Sequence, residues 1–132
     1  LNQERRQIES DMQQQAFSLM SQLPLNAAAG RELPYGICLY HEAWHQGVIG
    51  ILASRIKEQF YRPAIAFAKH NEHELKGSAR SIAGIHIRDA LDNLATQNPH
   101  LLKKFGGHAM AAGLSISAQH LAEFSEKFDQ YI

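Results

Sequence analysis

The sequence predicts an α/β fold: a mixed, mainly parallel sheet flanked by helices and preceded by a long connecting helix. Two patterns support this. From residue 35 onward, short apolar runs alternate with segments whose apolar residues recur every three to four positions, as in chains that alternate strands with covering helices. Before that point the chain is polar and Gln-rich, with a single narrow apolar stripe.

That stripe is Ile8, Met12, Ala16, Leu19 and Leu23, and it predicts a helix that leans on a neighbour, because so little apolar surface buries poorly alone. Pro24 and Asn26-Ala27-Ala28-Ala29-Gly30 break the pattern. The chain thus divides into a connecting helix over 1–24 and a folded domain over 30–132. Residues 35–40 and 64–68 are nearly continuous apolar runs, as expected of strands covered on both faces. Between them, Ile49, Leu52, Ile56 and Phe60 predict a helix that ends before Pro63. The two strands of this β-α-β unit should run parallel.

His70-Asn71-Glu72-His73 reads as a polar turn, and the alternation over 75–82 predicts a hairpin partner for the second strand. Ile87, Ala90, Leu91 and Leu94 mark the next helix. Met110, Ala112, Leu114 and Ile116 alternate with small residues and mark a further strand. Ser117 is placed to cap a last helix carrying Leu121, Phe124 and Phe128.

With 132 residues, 45% hydrophobic and 20% charged, the chain can bury a core of ordinary size. Its formal net charge is zero, which excludes an overall basic field; any contact with a polyanion must come from a local patch. Cys38 is the only cysteine, so an internal disulfide is impossible, and a buried thiol in a reducing cytoplasm is expected. The longest apolar stretch, 47–53, is far short of the roughly 20 residues that span a bilayer, so no membrane is expected as a partner. The start at Leu1 and the helical pattern at the other end suggest a piece of a longer protein.

Three motifs carry chemistry. In Gly77-Ser78-Ala79-Arg80-Ser81, strand alternation puts Lys76, Ser78 and Arg80 on one face. A cation–hydroxyl–cation row suits a phosphate, while an ordinary solvent-facing edge fits the same residues. In Phe105-Gly106-Gly107-His108, paired glycines can offer backbone N–H groups to an anion, with His108 beside them and Lys103 and Lys104 upstream. A tight turn followed by close strand packing is the plainer reading.

His41-Glu42-Ala43-Trp44-His45 matches the H-E-x-x-H helix of zinc peptidases. That motif needs a helix through all five residues and a third ligand. Val48 and Ile51 stand where the extended version has glycine and a third histidine. A loop at the carboxyl end of the first strand fits better, with His45 facing the same ligand as Arg80 and His108. Arg55, off the helix's apolar stripe, suits a structural ion pair better than a ligand. The remaining histidines, His70, His73, His86, His100 and His120, show no ligand spacing.

Taken in order, the segment from His41-Glu42-Ala43-Trp44-His45-Gln46-Gly47 through Ser54-Arg55, then Gly77-Ser78-Ala79-Arg80-Ser81, then 105–113 closely resembles the DHHA1 domain of the RecJ family, single-stranded-DNA-specific exonucleases of the DHH phosphoesterase superfamily. Asn2-Gln3-Glu4-Arg5-Arg6-Gln7-Ile8-Glu9 is similar to the helix that joins the two halves of that family's core. The resemblance implies a substrate-binding domain over 30–132 and a separate DHH domain, outside this chain, that binds Mn²⁺ or Mg²⁺ for phosphodiester hydrolysis.

Substrate contacts would come from His45, Ser78, Arg80, Ser81, Gly106, Gly107 and His108, with the 5′ phosphate of single-stranded DNA as the ligand for Arg80. The Asp-His-His metal motif is absent from these residues, as is any sign of the family's OB-fold domain. Neither a catalytic residue, a metal ligand nor nuclease activity is therefore expected of this chain alone. Relatives with the same domain type include oligoribonucleotide and phosphoadenosine phosphatases, and that substrate class stays open at the level of sequence.

Overall fold

The computed structural model describes Gln7, Ser10, Asp11 and Gln14, together with residues 36–41, 44 and 46–132. Contacts divide the chain into two units, Leu1–Pro34 and Tyr35–Ile132. Of the connecting helix expected over 1–24, the four described residues are helical, and the Gln7 amide donates to Asp11 Oδ1 at 3.0 Å, one turn away. Its apolar stripe lies outside the described residues.

In the second unit the elements run β1 (Ile37–Tyr40), α1 (Ile49–Phe60), β2 (Ala64–Lys69), β3 (Glu74–Arg80), α2 (Ile87–Gln97), β4 (Lys104–Gly107), β5 (Ala111–Ser117), a 3₁₀ turn (Ala118–His120) and α3 (Leu121–Tyr131). The five strands form one sheet in the order β1-β2-β3-β5-β4. β1 and β2 pair in parallel across α1, as the β-α-β pattern requires.

The expectation of a mainly parallel sheet is corrected: the β2–β3, β3–β5 and β4–β5 pairings are all antiparallel. Connection length is the reason. Residues 70–73 and 108–110 are too short to carry a chain back for a parallel pairing, and β5, turned back by the second of them, inserts between β3 and β4 and runs against both, whereas β1 and β2 are joined by a helix-length crossover. β4 had no periodic signal, because Lys104-Phe105-Gly106-Gly107 holds one apolar side chain. Ser117 precedes the last helical segment, but its hydroxyl makes no capping hydrogen bond, and a 3₁₀ turn separates it from α3.

The apolar run of β2 reads as continuous because it serves two layers. Ile65 and Phe67 join Leu75, Leu91, Ile116, Phe124 and Phe128 in the core under α2 and α3. There Phe67 meets Phe124 edge-on at 5.8 Å, and Phe124 stacks on Phe128 at 6.0 Å, pairs that add to the roughly 1.5–3 kcal/mol each buried side chain contributes. On the opposite face Ala64, Ala66 and Ala68 are small enough for α1 to approach, and Ile49, Leu52, Ala53 and Ile56 bury against it. Tyr61, in the left-handed conformation at φ 51°, ends α1 just before Pro63.

α1 covers β2 and β3. It leaves the same face of β5 and β4 open, and the chemistry-bearing motifs lie along that opening.

Candidate functional site

Antiparallel pairing brings two motifs that are about thirty residues apart in sequence onto one surface. In β3 the core-facing residues are Leu75, Gly77 and Ala79, and the outward ones are Lys76, Ser78 and Arg80. Gly77 is needed on the inner side, since a Cβ there would stand 2.7 Å from the Phe67 ring. Strand register then sets three rungs across the open face. Arg80 lies opposite Ala111; Ser78 opposite Gly113, which faces Gly106; Lys76 opposite Ser115, which faces Lys104.

The Ser78 and Lys76 rungs floor a cleft of about 440 Å³, with Gln46 and Ile49 at its α1 side and Lys76, Ser78, Gly113, Ser115 and Lys104 along it. The glycines keep the floor flat. A Cβ on Gly106 would meet nothing within 4 Å, and one on Gly113 would come no nearer than 3.9 Å to the Gly77 carbonyl, so a side chain at either would fill the groove instead.

Arg80 is held at the α1 end. Its Nη1 donates to its own strand, to Ala79 O at 2.9 Å, and its Nη2 lies where a Cβ on Gly50 would be, 2.6 Å away. Ser78 Oγ is 3.7 Å from that same point. Among the described residues no carboxylate pairs with Arg80. The first turn of α1 beside it has no acidic residue and no side-chain cap on its free N–H groups, a setting that favours an anion. The guanidinium and the Ser78 hydroxyl therefore both lie against the first turn of α1, at Gly50.

Gly106-Gly107-His108 forms the end of an edge strand and the turn of the β4–β5 hairpin. His108 N donates to Ala111 O at 2.7 Å, closing the turn. Gly107 has φ 152°, and a Cβ on it would stand 2.4 Å from Ala111 O. Ser81 N and Ile87 N donate to Met110 O and Ala109 O, which ties the turn to the end of β3 and the start of α2. The His108 ring is exposed at this tip.

Ser81, expected among the ligands, is fully buried, and its hydroxyl donates to Ile85 O at 2.7 Å. It holds the backbone that follows β3 and is withdrawn from the groove. His45 lies outside the described residues. His41 and Trp44, also in the zinc-peptidase-like motif, are described and neither is helical; Trp44 N donates to His41 O at 3.1 Å in a turn, and α1 begins only at Ile49. The zinc helix is therefore not formed, and no cluster of three metal-ligating side chains occurs among the described residues.

Arg55 pairs with Glu58 at 3.7 Å, the structural role expected of it. His86 caps α2, its Nδ1 accepting from Asp89 N at 3.2 Å. Sequence reasoning missed Gly50, whose signal was a glycine inside an otherwise regular helix. It also missed Ser115, which had none.

Comparison with known proteins identifies the domain. The model of the DHHA1 domain matches residues 33–132. The chain is 53% identical over all 132 residues to the single-stranded-DNA-specific exonuclease RecJ of Haemophilus influenzae, and 51% identical to that of Escherichia coli, covering 22% of each. It thus spans about a fifth of the length of these curated relatives. Among solved structures, RecJ of Thermus thermophilus in complex with Mg²⁺ superposes with a TM-score of 0.75 at 30% identity, over 98% of this chain and 18% of that one. An exonuclease RecJ bound to manganese gives 0.74 at 31%, over 98% and 29%.

Proposed function

Since the chain belongs to the DHHA1 domain family, we propose that it is the substrate-holding part of a RecJ-type exonuclease that digests single-stranded DNA from the 5′ end in DNA repair and recombination, in the cytoplasm. The observation that carries this reading is that Arg80 and Ser78 lie together against the uncapped first turn of α1, with no carboxylate among the described residues to neutralise the arginine.

In this reading the terminal 5′ phosphate sits beside Arg80 and Ser78, on the open side of the groove. The Arg80 guanidinium donates to two of its oxygens, Ser78 Oγ donates to a third, and the free N–H groups of α1 face it. The flat floor of Gly106 and Gly113 lets the first sugar and base lie against the sheet. His108 is exposed at the hairpin tip, where an imidazole can hydrogen-bond a phosphate or stack on a base. The Gly107 backbone holds the rim in shape. The Mn²⁺ or Mg²⁺ that activates water for attack on the phosphodiester is held by the DHH domain of the longer enzyme, and an OB-fold domain extends the path for the strand. These residues bind and orient the strand and supply no catalytic group.

Fluorescence anisotropy of the chain with a short single strand, 5′-phosphorylated against 5′-hydroxyl, tests this. Wild type should favour the phosphorylated strand. Arg80→Ala should lose that preference, at about 1.5–3 kcal/mol, the range of a hydrogen bond to a charged group. Equal affinity for the two ends, or a preference that survives the substitution, would refute the assignment.

A further inference from the structure

The proposed 5′-phosphate point accounts for one end of the cleft only. Four residues back along β3 from Arg80 the character of the groove changes. Lys76 and Lys104 stand on the two strands that flank β5, and both are in register with Ser115 between them. Two strand spacings separate their backbones, roughly 10 Å, so both side chains can reach an anion held above Ser115. Neither lysine has an ion-pair partner among the described residues. The nearest acid in sequence, Glu74, is already engaged by Lys103 at 3.4 Å. The cleft therefore carries two uncompensated positive charges at the end away from Arg80.

We propose that Lys76, Ser115 and Lys104 form a second seat, for an internal phosphodiester of the same single strand, about two nucleotides along the groove from the terminal phosphate. This rests on the preceding functional reading. Geometry sets the step: the four residues of β3 from Arg80 to Lys76 advance about 13.6 Å, on the scale of two nucleotides of an extended strand. Between the seats lie Ser78, Gly113 and Gly106, where the absence of side chains on the two glycines leaves room for the sugar and base that join the phosphates. The groove therefore fixes polarity, with the 5′ end at Arg80 and the strand leaving past Lys76 and Lys104.

NMR titration of the 132-residue chain tests it, using thymidine 5′-monophosphate and a 5′-phosphorylated thymidine tetranucleotide as probes. The mononucleotide should shift the amides around Ser78 and Arg80. The tetranucleotide should also shift those of Gly106, Gly113 and Ser115. Lys76→Gln with Lys104→Gln should weaken the tetranucleotide about tenfold and leave the mononucleotide unchanged. It should also lower the slope of log affinity against log salt by about 0.7, the contribution of one neutralised phosphate of a single strand. Lys127→Gln, on α3 across the sheet, should do neither.

An unchanged salt slope and tetranucleotide affinity in the double variant would overturn the second seat, while a mononucleotide response at Arg80 would leave the first intact. Absence of any response around Ser78 and Arg80 in wild type would remove both.

Discussion

The guanidinium of Arg80 occupies the space that a side chain on Gly50 would need: a Cβ built on that glycine stands 2.6 Å from Nη2. The obstructed atom is the far end of a flexible side chain, so Gly50→Ala should displace Arg80 and spare the fold. The second residue of a helix gains from the change, by up to about 1 kcal/mol. The variant should therefore unfold at equal or higher denaturant concentration, yet bind a 5′-phosphorylated strand roughly tenfold more weakly, about 1.4 kcal/mol. Denaturation and anisotropy on one preparation check both halves. Unchanged phosphate preference would show that the guanidinium does not need this position.

The neighbouring glycines of the hairpin should behave in opposite ways. Gly107 sits at φ 152° with Ala111 O and the Ala112 Cα within 2.5 Å of where a Cβ would go, so Gly107→Ala strains the turn and should cost about 1–3 kcal/mol of stability. Gly106 has open space above it, so Gly106→Ala should leave stability within about 0.5 kcal/mol while narrowing the groove. Urea titration separates the pair. Oligonucleotide affinity should then fall for Gly106→Ala at full stability. Equal stability losses for both would contradict the distinction.

Ser78 and Ser81 belong to one motif but to two environments. Ser81→Ala removes a fully buried hydroxyl that donates to Ile85 O and leaves that carbonyl without its partner, at a cost of about 1–3 kcal/mol. Phosphate preference should persist in whatever fraction stays folded. Ser78→Ala should give the reverse, near-native stability with reduced preference for the phosphorylated strand. If Ser81→Ala abolished the preference without lowering stability, the assignment of the two hydroxyls would be wrong.

Much of this was legible in the sequence. The β-α-β unit, the β2–β3 hairpin and the helices at Ile87 and Leu121 follow from periodicity alone, because each buries a regular face. Lys76, Ser78 and Arg80 shared a face by the same alternation. What periodicity could not convey was partnership. Nothing local says that β3 pairs with β5, so the meeting of Arg80 with the Gly-Gly hairpin needed the register. β4 escaped notice because an edge strand with one face open to a groove needs few apolar residues. Ser81 stood with Ser78 because both belong to one motif, but it falls just past the end of β3, on the opposite side from Arg80, and its hydroxyl turns to a local carbonyl.

Cys38 offers a test of the core from another direction. It pairs in register with Ile65 and packs against the core under α2 and α3. Burial pushes its thiol from 9.0 up to about 12, with a hydrogen bond to Ser125 opposing and the Asp129 charge reinforcing the shift. Between those two values the folded chain keeps the proton that the unfolded chain gives up, so stability falls as pH rises through the window, by at most about 1.4 kcal/mol per pH unit. Below pH 9 the contribution is fully present. Cys38→Ala forfeits the packing of the sulfur at neutral pH but has no thiol to titrate. Wild type should therefore exceed the variant in urea titration at about pH 7.5, and that margin should shrink by about pH 10.5. Parallel losses in the two proteins would show that Cys38 ionises as freely when folded as when unfolded, and hence that β1 does not seal this edge of the core.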